Sequence, residues 1–507
     1  MAGSILLLAA VFAGAVTGER LGALGTPGRL AALGVLASPV VARLLRRLPD
    51  RSVLAALVIA AGGFLAHASM QGALGGLRRP ALVSLTDGRA EVLVTGRVVE
   101  ASTRRWGRAH LVLRAAMLAP LRFDRVLEPG WNGTASGDGV LRLDGARVLV
   151  EGAGSVAGRL SVLGPGEQVV LAGFLRPLRG VERRLRWRHV GVGLAAQDVI
   201  SVGPATAPLD LVANKLRAIV EAALSRLDTP ERGVMAGLLI GDRQELGALE
   251  ADFRDSGLAH LLSVSGANVA LVLGLAGPLL RQLGILGRLV GGLLLLLVFG
   301  AVTGFEPSVL RASAMAALAL VAAFLGRPAA GIRLLGLGVS AMLLLDPFLI
   351  HSIGFLESAG ASAGILLFSS PIARRLRGPG FLRETIAVTA AAQIGVAPVV
   401  LPVFGVLPLV ALPANLLVAP LIPPAVSFGL VAALGAGIVG DAAPMVADMA
   451  LAFPALAARY LALVAGLAAR SPWEISGRGA LELLGLGCLA GALAVRRRAD
   501  ETSTRRS

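Results

Sequence analysis

Long stretches without a single charged side chain decide what this chain can be. Residues 291–303 read GGLLLLLVFGAVT and residues 312–325 read ASAMAALALVAAFL. Runs of this kind belong in hydrocarbon, where a helical span takes about 20 mostly apolar residues. Of the 507 residues, 55% are hydrophobic and 16% charged, and the mean hydropathy is +0.76. Soluble proteins carry about 25% charged residues, and surface-to-volume scaling limits how much apolar area a water-soluble fold hides. A polytopic α-helical membrane protein is therefore expected.

Three apolar segments open the chain, near 4–18, 30–45 and 53–73. The first lacks a basic leader and two more follow closely, so it reads as a retained helix rather than a signal peptide. The pattern then changes. Between 81 and 208 the apolar runs shorten to strand length, as in 90–99, 140–150 and 167–175. Turn signals at Asp87-Gly88 and Asp144-Gly145 separate them, and period-two alternation predicts a small all-β domain. Its size suits an OB-like barrel, and a sandwich has the same signature. An amphipathic connector, 209–256, leads back to the membrane. Further helices are expected near 258–280, 288–304, 308–326, 331–349, 353–371, 384–404, 408–434, 446–468 and 478–495. The total is about twelve transmembrane helices. The organisation is thus a three-helix segment (1–80), the β domain (81–208), the connector (209–256), a polytopic domain (257–496) and a basic tail (497–507).

Arginine placement sets the orientation, because Lys and Arg accumulate in short cytoplasmic loops. Arg43, Arg46, Arg47 and Arg51 put the second loop inside, so the third helix delivers the β domain to the extracytoplasmic side. The same count places Arg281 and Arg288, Arg327 and Arg333, the group Arg374, Arg375, Arg377 and Arg383, and Arg496–Arg498 inside. Arg20, Arg29, Arg470 and Arg478 fall outside, against the trend. Both termini are expected in the cytoplasm. The formal net charge is +16 and its cations are arginine apart from Lys215. A GC-rich genome yields the same bias, so charge alone does not argue for nucleic acid. Cys488 is the single cysteine, which excludes an intrachain disulfide and a cysteine metal site.

Polar residues inside apolar segments are the candidates for chemistry. The stretch 255–275, DSGLAHLLSVSGANVALVLGL, carries His260, Ser263, Ser265 and Asn268. Read as one helix, it places His260 with Ser263 and Ser265 with Asn268, three residues apart. Such groups face other helices or a water-filled path; ordinary helix–helix packing by Ser, Asn and Gly266 is the alternative. A Ser-His hydrolase pair lacks its acid.

These residues also carry a resemblance. HLLSVSGANVALV closely resembles the HLL-x-[IV]-SG-x-[HN]-V signature of the ComEC family. The likeness continues through Gly304–Ala312 (GFEPSVLRA), Leu345-Asp346-Pro347, Ser352–Phe355 with Ser358, Ala391-Ala392-Gln393 with Pro398, and Pro413–Leu417 (PANLL) with Pro420. The blocks occur in the family's order over about 229–430. The resemblance implies passage of single-stranded DNA across the cytoplasmic membrane during natural transformation, and an exported OB-like domain. Asn268 stands where members often carry His, and Leu356-Glu357 where Gln and an apolar residue are usual. No HxHxDH-type cluster occurs, so a short form without the metallo-β-lactamase-like domain is expected, with no enzyme activity and no cofactor.

Glu306, Arg311 and Glu357 are ionisable groups at or within apolar segments. They line a path, or Glu306 sits at a helix start and pairs with Arg311. Gln393 and Asn415 complete the channel-lining candidates with His260, Ser263, Ser265, Gly266 and Asn268. Pro398, Pro402, Pro408, Pro413, Pro420, Pro423 and Pro424 are expected to break the helices that hold them, as transport paths do. In the β domain, Arg104, Arg105, Arg108, Arg183, Arg184, Arg186 and Arg188 surround Trp106 and Trp187, with Arg176 and Arg179 nearby. Read as a strand, 183–189 puts Arg184, Arg186 and Arg188 on one face. Cations tracking phosphates and aromatics stacking bases suit single-stranded DNA. A solvated edge strand and a contact with membrane lipid headgroups remain open on the residues alone; the resemblance favours DNA.

The expected function is a DNA-uptake channel in the inner membrane. A secondary transporter for a small or lipid-linked solute, using Glu306, Arg311 and Glu357, is the alternative, and a membrane hydrolase a third reading. No GxxxxGK[ST] loop occurs. The implied partners are single-stranded DNA, a DNA receptor, a separate nuclease and a cytoplasmic ATP-driven motor.

Overall fold

Apolar side chains that point away from the protein show where its solvent must be. In the computed structural model Ile438 is 72% exposed, Met449 69% and Phe428 64%, all on long, predominantly apolar helices. The structure describes residues 2–20, 50–77, 91–105, 108–120, 141–327, 330–404, 406–408, 410–471 and 474–476. Two units divide the chain.

The first unit comprises residues 1–218, 297–305 and 336–352. It opens with α1 (Ala2–Arg20) and α2 (Asp50–Leu77). A side chain at Gly14 would run into the Gly63 carbonyl, so these two helices approach at backbone distance. A five-stranded barrel follows: β1 (Glu91–Arg105), β2 (Arg108–Pro120), β3 (Leu141–Ala153), β4 (Gln168–Arg176) and β5 (Val190–Gly203). It closes in the order β1-β2-β3-β5-β4, with β3 and β5 parallel and the other pairs antiparallel. Alternation builds its core: Val92, Val94 and Val98 meet Leu111, Leu113, Val148, Val150, Leu171 and Leu194 inside. Helix α3 (Gly154–Ser161) packs Val156, Ala157 and Leu160 into that core.

Two expectations about strands and turns change. Asp144-Gly145 is no turn: β3 runs through it, and Gly145 (φ +77°) takes up a register shift against β2. The run expected as a strand at 183–189 is a 3-10 helix, Gly180–Arg188, closed by His189 in left-handed conformation (φ 63°). Glu182 holds it by accepting from the Arg179 N–H at 3.0 Å. Asp87-Gly88 lies outside the described residues.

Helix α4 (Pro208–Leu224) crosses from the first unit's residues into the second unit, which comprises 219–296, 306–335 and 353–507. Then come α5 (Thr229–Ile240), α6 (Leu249–Asp255), α7 (Gly266–Gln282), α8 (Ile285–Val302), α9 (Pro307–Phe324) and α10 (Gly331–Leu345). After them follow α11 (Ile353–Arg375), α12 (Gly380–Phe404), α13 (Ala411–Val418), α14 (Ile422–Val439) and α15 (Pro444–Ala469). A short pair, β6 (Val406–Pro408) with β7 (Glu474–Ser476), lies beyond α12.

Among the described residues seven helices are long and apolar enough to cross a membrane: Ala259–Gln282, Ile285–Val302, Pro307–Phe324, Ile353–Arg375, Gly380–Val403, Ile422–Val439 and Pro444–Ala469. The chain is a multi-pass membrane protein. Gly331–Leu345 is apolar but shorter. The segments expected at 30–45 and 478–495 lie outside the described residues, and the single helix expected over 408–434 is two, α13 and α14. Pro398 and Pro402 do not break α12, which continues to Phe404, since neighbouring groups in a bundle can take over the backbone bonds a proline frees.

Candidate functional site

The polar group of the second unit forms where α7 begins. The stretch expected as one helix is instead a 3-10 turn, Ala259–Leu261, followed by α7 from Gly266. His260 and Ser263 therefore do not share a helical face. His260 is exposed and its Nδ1 donates to the Gly257 carbonyl at 3.2 Å. The Ser263 hydroxyl donates to the His260 carbonyl at 3.1 Å. Both bonds close the turn locally. Gly257, in left-handed conformation (φ +74°), is what ends α6 and permits it.

Ser265 and Asn268 do meet. The Ser265 hydroxyl donates to Asn268 Oδ1 at 2.9 Å, and Asn268 Nδ2 donates to the Leu238 carbonyl at 2.8 Å. Asn268 is 1% exposed. It ties the start of α7 to the end of α5, with both ends of its amide satisfied. Its bearing on any path runs through the placement of α7.

Arg311, on α9, is buried. Its Nε donates to the Ser358 hydroxyl on α11 at 2.8 Å, and Nη1 lies 3.4 Å from Met315 Sδ. The guanidinium covers Gly266: a Cβ there would stand 2.8 Å from Nη2. The pairing of Glu306 with Arg311, the alternative to path lining, does not form. Glu306, at the start of α9, has Oε1 3.8 Å from Arg243 Nη2 instead, because five residues along a helix turn the two side chains apart. Glu357 is half-buried on α11, with no hydrogen-bond or ion-pair partner among the described residues. Gln393 (α12) and Asn415 (α13) are also half-buried. Among the described residues no bond joins either to the group around Arg311.

Three contributors to this group were not singled out for a role. Ser308 donates to the Val264 carbonyl at 2.7 Å and holds α9 beside the approach to α7. Ser358 receives Arg311. Arg243 faces Glu306 and also donates from Nε to the Leu262 carbonyl at 3.2 Å. Small hydroxyl residues in apolar helices carry the signal, but their partners lie up to 47 positions away in sequence.

On the barrel, arginines divide into paired and free-standing. Arg176 bonds Glu182 through Nη1 at 2.6 Å and Glu151 through Nη2 at 2.6 Å. Arg108 takes the other Glu151 oxygen at 2.5 Å, and Arg188 pairs with Glu100 at 2.6 Å. Arg183, Arg184 and Arg186 project from the 3-10 helix exposed. Trp187 is half-buried, stacked on His351 at 3.8 Å between ring centroids and edge-on to Phe348 at 5.5 Å. His189 Nε2 donates to Asp346 Oδ1 at 3.0 Å beside it. Arg104 and Arg105 end β1, and Trp106 lies outside the described residues. Among the described residues no three His, Cys, Asp or Glu side chains are grouped to hold a metal.

The family model for the competence protein matches residues 238–499, which is 262 of 507 positions. The chain belongs to the competence protein family. ComE operon protein 3 of Bacillus subtilis is 29% identical over 206 residues, 40% of this chain and 26% of that protein. The uncharacterized protein YcaI of Escherichia coli is 30% identical over 253 residues, 46% of this chain and 32% of that one. The chain thus spans less than two thirds of the length of each of these relatives. No solved structure matches it. The family match begins at Leu238, the residue whose carbonyl receives Asn268, so the whole polar group around Arg311 falls within it.

Proposed function

We propose that this chain forms a passage for single-stranded DNA across the cytoplasmic membrane during transformation. One observation carries the reading: among the described residues, the seven helices that are both long and apolar enough to cross a membrane lie inside the residues that match the competence family. The Ser265–Asn268 group, Arg311, Glu306 and Glu357 supply polar surface within otherwise apolar helices, with His260, Ser263, Gln393 and Asn415 as further lining. A DNA receptor, a separate nuclease and an ATP-driven motor act with it. In a strain deleted for the gene, labelled DNA should still reach the cell surface but not the cytoplasm. Restoring the gene with Arg183, Arg184 and Arg186 all changed to Glu should leave uptake several-fold low at normal protein abundance, since each lost phosphate contact weakens binding. Cytoplasmic label at the wild-type rate in the deleted strain would remove the channel role.

The barrel is read as OB-type. Five strands closing in this order, with a helix between β3 and β4, support that reading. The arginine-rich loops support a barrel outside the cytoplasm with both termini inside. Fusions of a periplasm-only and a cytoplasm-only reporter after Pro80 test this. Activity of the cytoplasmic reporter at Pro80 rules the orientation out.

A further inference from the structure

We propose that the N-terminal end of α7 and the guanidinium of Arg311 together form a binding step for the phosphodiester of the passing DNA strand. The inference rests on the DNA-passage reading and assigns one subsite within it.

Two independent features meet here. The first is the helix end. The opening N–H groups of a helix have no intrahelical acceptor and carry partial positive charge. Ser265 stands at the cap position of α7, yet makes no side-chain bond to the backbone there, because its hydroxyl is engaged by Asn268. Asn268 N–H is taken by the Ser265 carbonyl at 3.1 Å. The Gly266 and Ala267 N–H groups have no side-chain cap. Helices α9 and α11 begin in the same neighbourhood: Ser308 reaches Val264, and Arg311 reaches Ser358. The starts of α7, α9 and α11 thus lie near one another.

The second feature is Arg311 itself, 7% exposed. Among the described residues no carboxylate pairs with it, and Nη2 has no acceptor. The carboxylate five residues earlier, Glu306, faces Arg243. A buried cation in a membrane helix ordinarily has a counter-charge. Here the open Nη2 lies against Gly266, the first residue of the uncapped helix. Both donors call for one anion, and a phosphate oxygen fits a guanidinium fork and backbone N–H groups together. A Cβ at 266 would stand 2.8 Å from Nη2, so a larger residue there would displace the guanidinium from its place against the helix end. On the proposed orientation the starts of α7, α9 and α11 face outward, where the strand arrives. Broken helices in transporters present their N-terminal ends to anionic substrates in the same way.

The test uses the full chain in phosphatidylcholine nanodiscs, binding a short single-stranded oligonucleotide over a salt series. Arg311→Gln should weaken binding about tenfold and lower the salt slope by about one. Arg311→Lys should keep the slope and lose part of the affinity, and Gly266→Ala should shift both as Arg311→Gln does, to a smaller extent. A methylphosphonate oligonucleotide, which lacks the charge, should bind all four proteins alike. If Arg311 only braces α9 against α11, the salt slope will not move in any variant that keeps its wild-type melting temperature. That result overturns the subsite while leaving DNA passage standing. An Arg311 effect seen only in discs containing phosphatidylglycerol assigns the site to a lipid headgroup and overturns it too. Should Arg311→Gln fail to fold, the Lys and Gly266→Ala variants decide alone. No oligonucleotide binding by the wild-type chain removes both this subsite and the reading beneath it.

Discussion

Gly395→Leu is expected to leave little assembled protein in the membrane. Helices α11 and α12 touch through backbone at Gly360, Gly364, Ala391 and Gly395. A Cβ at Gly360 would lie 2.5 Å from the Gly395 carbonyl oxygen, and one at Gly395 would run into the Gly360 carbonyl. Lipid offers no hydrophobic force to press helices together, so close packing and backbone proximity supply the association. Overpacking costs typically about 1–3 kcal/mol when side chains can shift; backbone on both sides cannot, so the loss lies at or above the upper end. Membrane-fraction abundance and the melting temperature of the detergent-solubilised chain measure it. Gly354→Leu, at an open and exposed position on α11, should behave as wild type. Normal melting of Gly395→Leu would mean the two helices do not depend on this contact.

Arg176→Ala should loosen the barrel by about 2–3 kcal/mol, somewhat below the cost of breaking a fully buried ion pair. The side chains of Glu151 and Glu182 are 15% and 25% exposed and would lose their common partner. For Glu151, burial favours the neutral acid. The hydrogen bond from Arg108 and the charge and hydrogen bond of Arg176 outweigh it and hold the carboxyl below its ordinary value. The Arg176 hydrogen bond does the same for Glu182, against burial. Carboxyls lowered on folding contribute stability that is present above the unfolded value of 4.5 and lost as pH falls beneath it. Amide hydrogen exchange of the barrel strands in the intact chain should therefore speed up below that pH. In Arg176→Ala it should be faster at neutral pH and less sensitive to acid. Identical acid profiles for the two proteins would contradict the linkage.

The membrane helices were legible because high mean hydropathy over 18 or more residues is a one-dimensional property. β1, β3 and β4 were legible by period-two alternation. β2 and β5 were not, and the reason differs from the one that hid the 3-10 helix. In β5, VGVGLAAQDVISVG, glycine and alanine blur the contrast between faces. Over Arg183–Arg188 alternation is clear but misleading, since Glu182, the Arg179 N–H and the left-handed His189 wind the chain instead. At the candidate site, Ser265 with Asn268 could be read from their spacing. Their attachment to Leu238 could not, nor could Arg311 choosing Ser358 over Glu306. Those depend on which helices become neighbours, and apolar helices of similar composition carry little record of their order in space.

Closure of the barrel has a consequence for how it meets other proteins. Hydrogen bonds between β1 and β4 complete the ring, so over the paired residues the sheet has no open edge. Recognition by adding a strand to an open edge, the common route for extended peptides, is thereby denied to the barrel wall. The same closure guards it against edge-to-edge aggregation. A partner of this barrel would engage its wall chiefly by side chains, on the connecting segments or on the arginine-bearing turn. Charge and shape, more than backbone pairing with the barrel strands, will set its specificity.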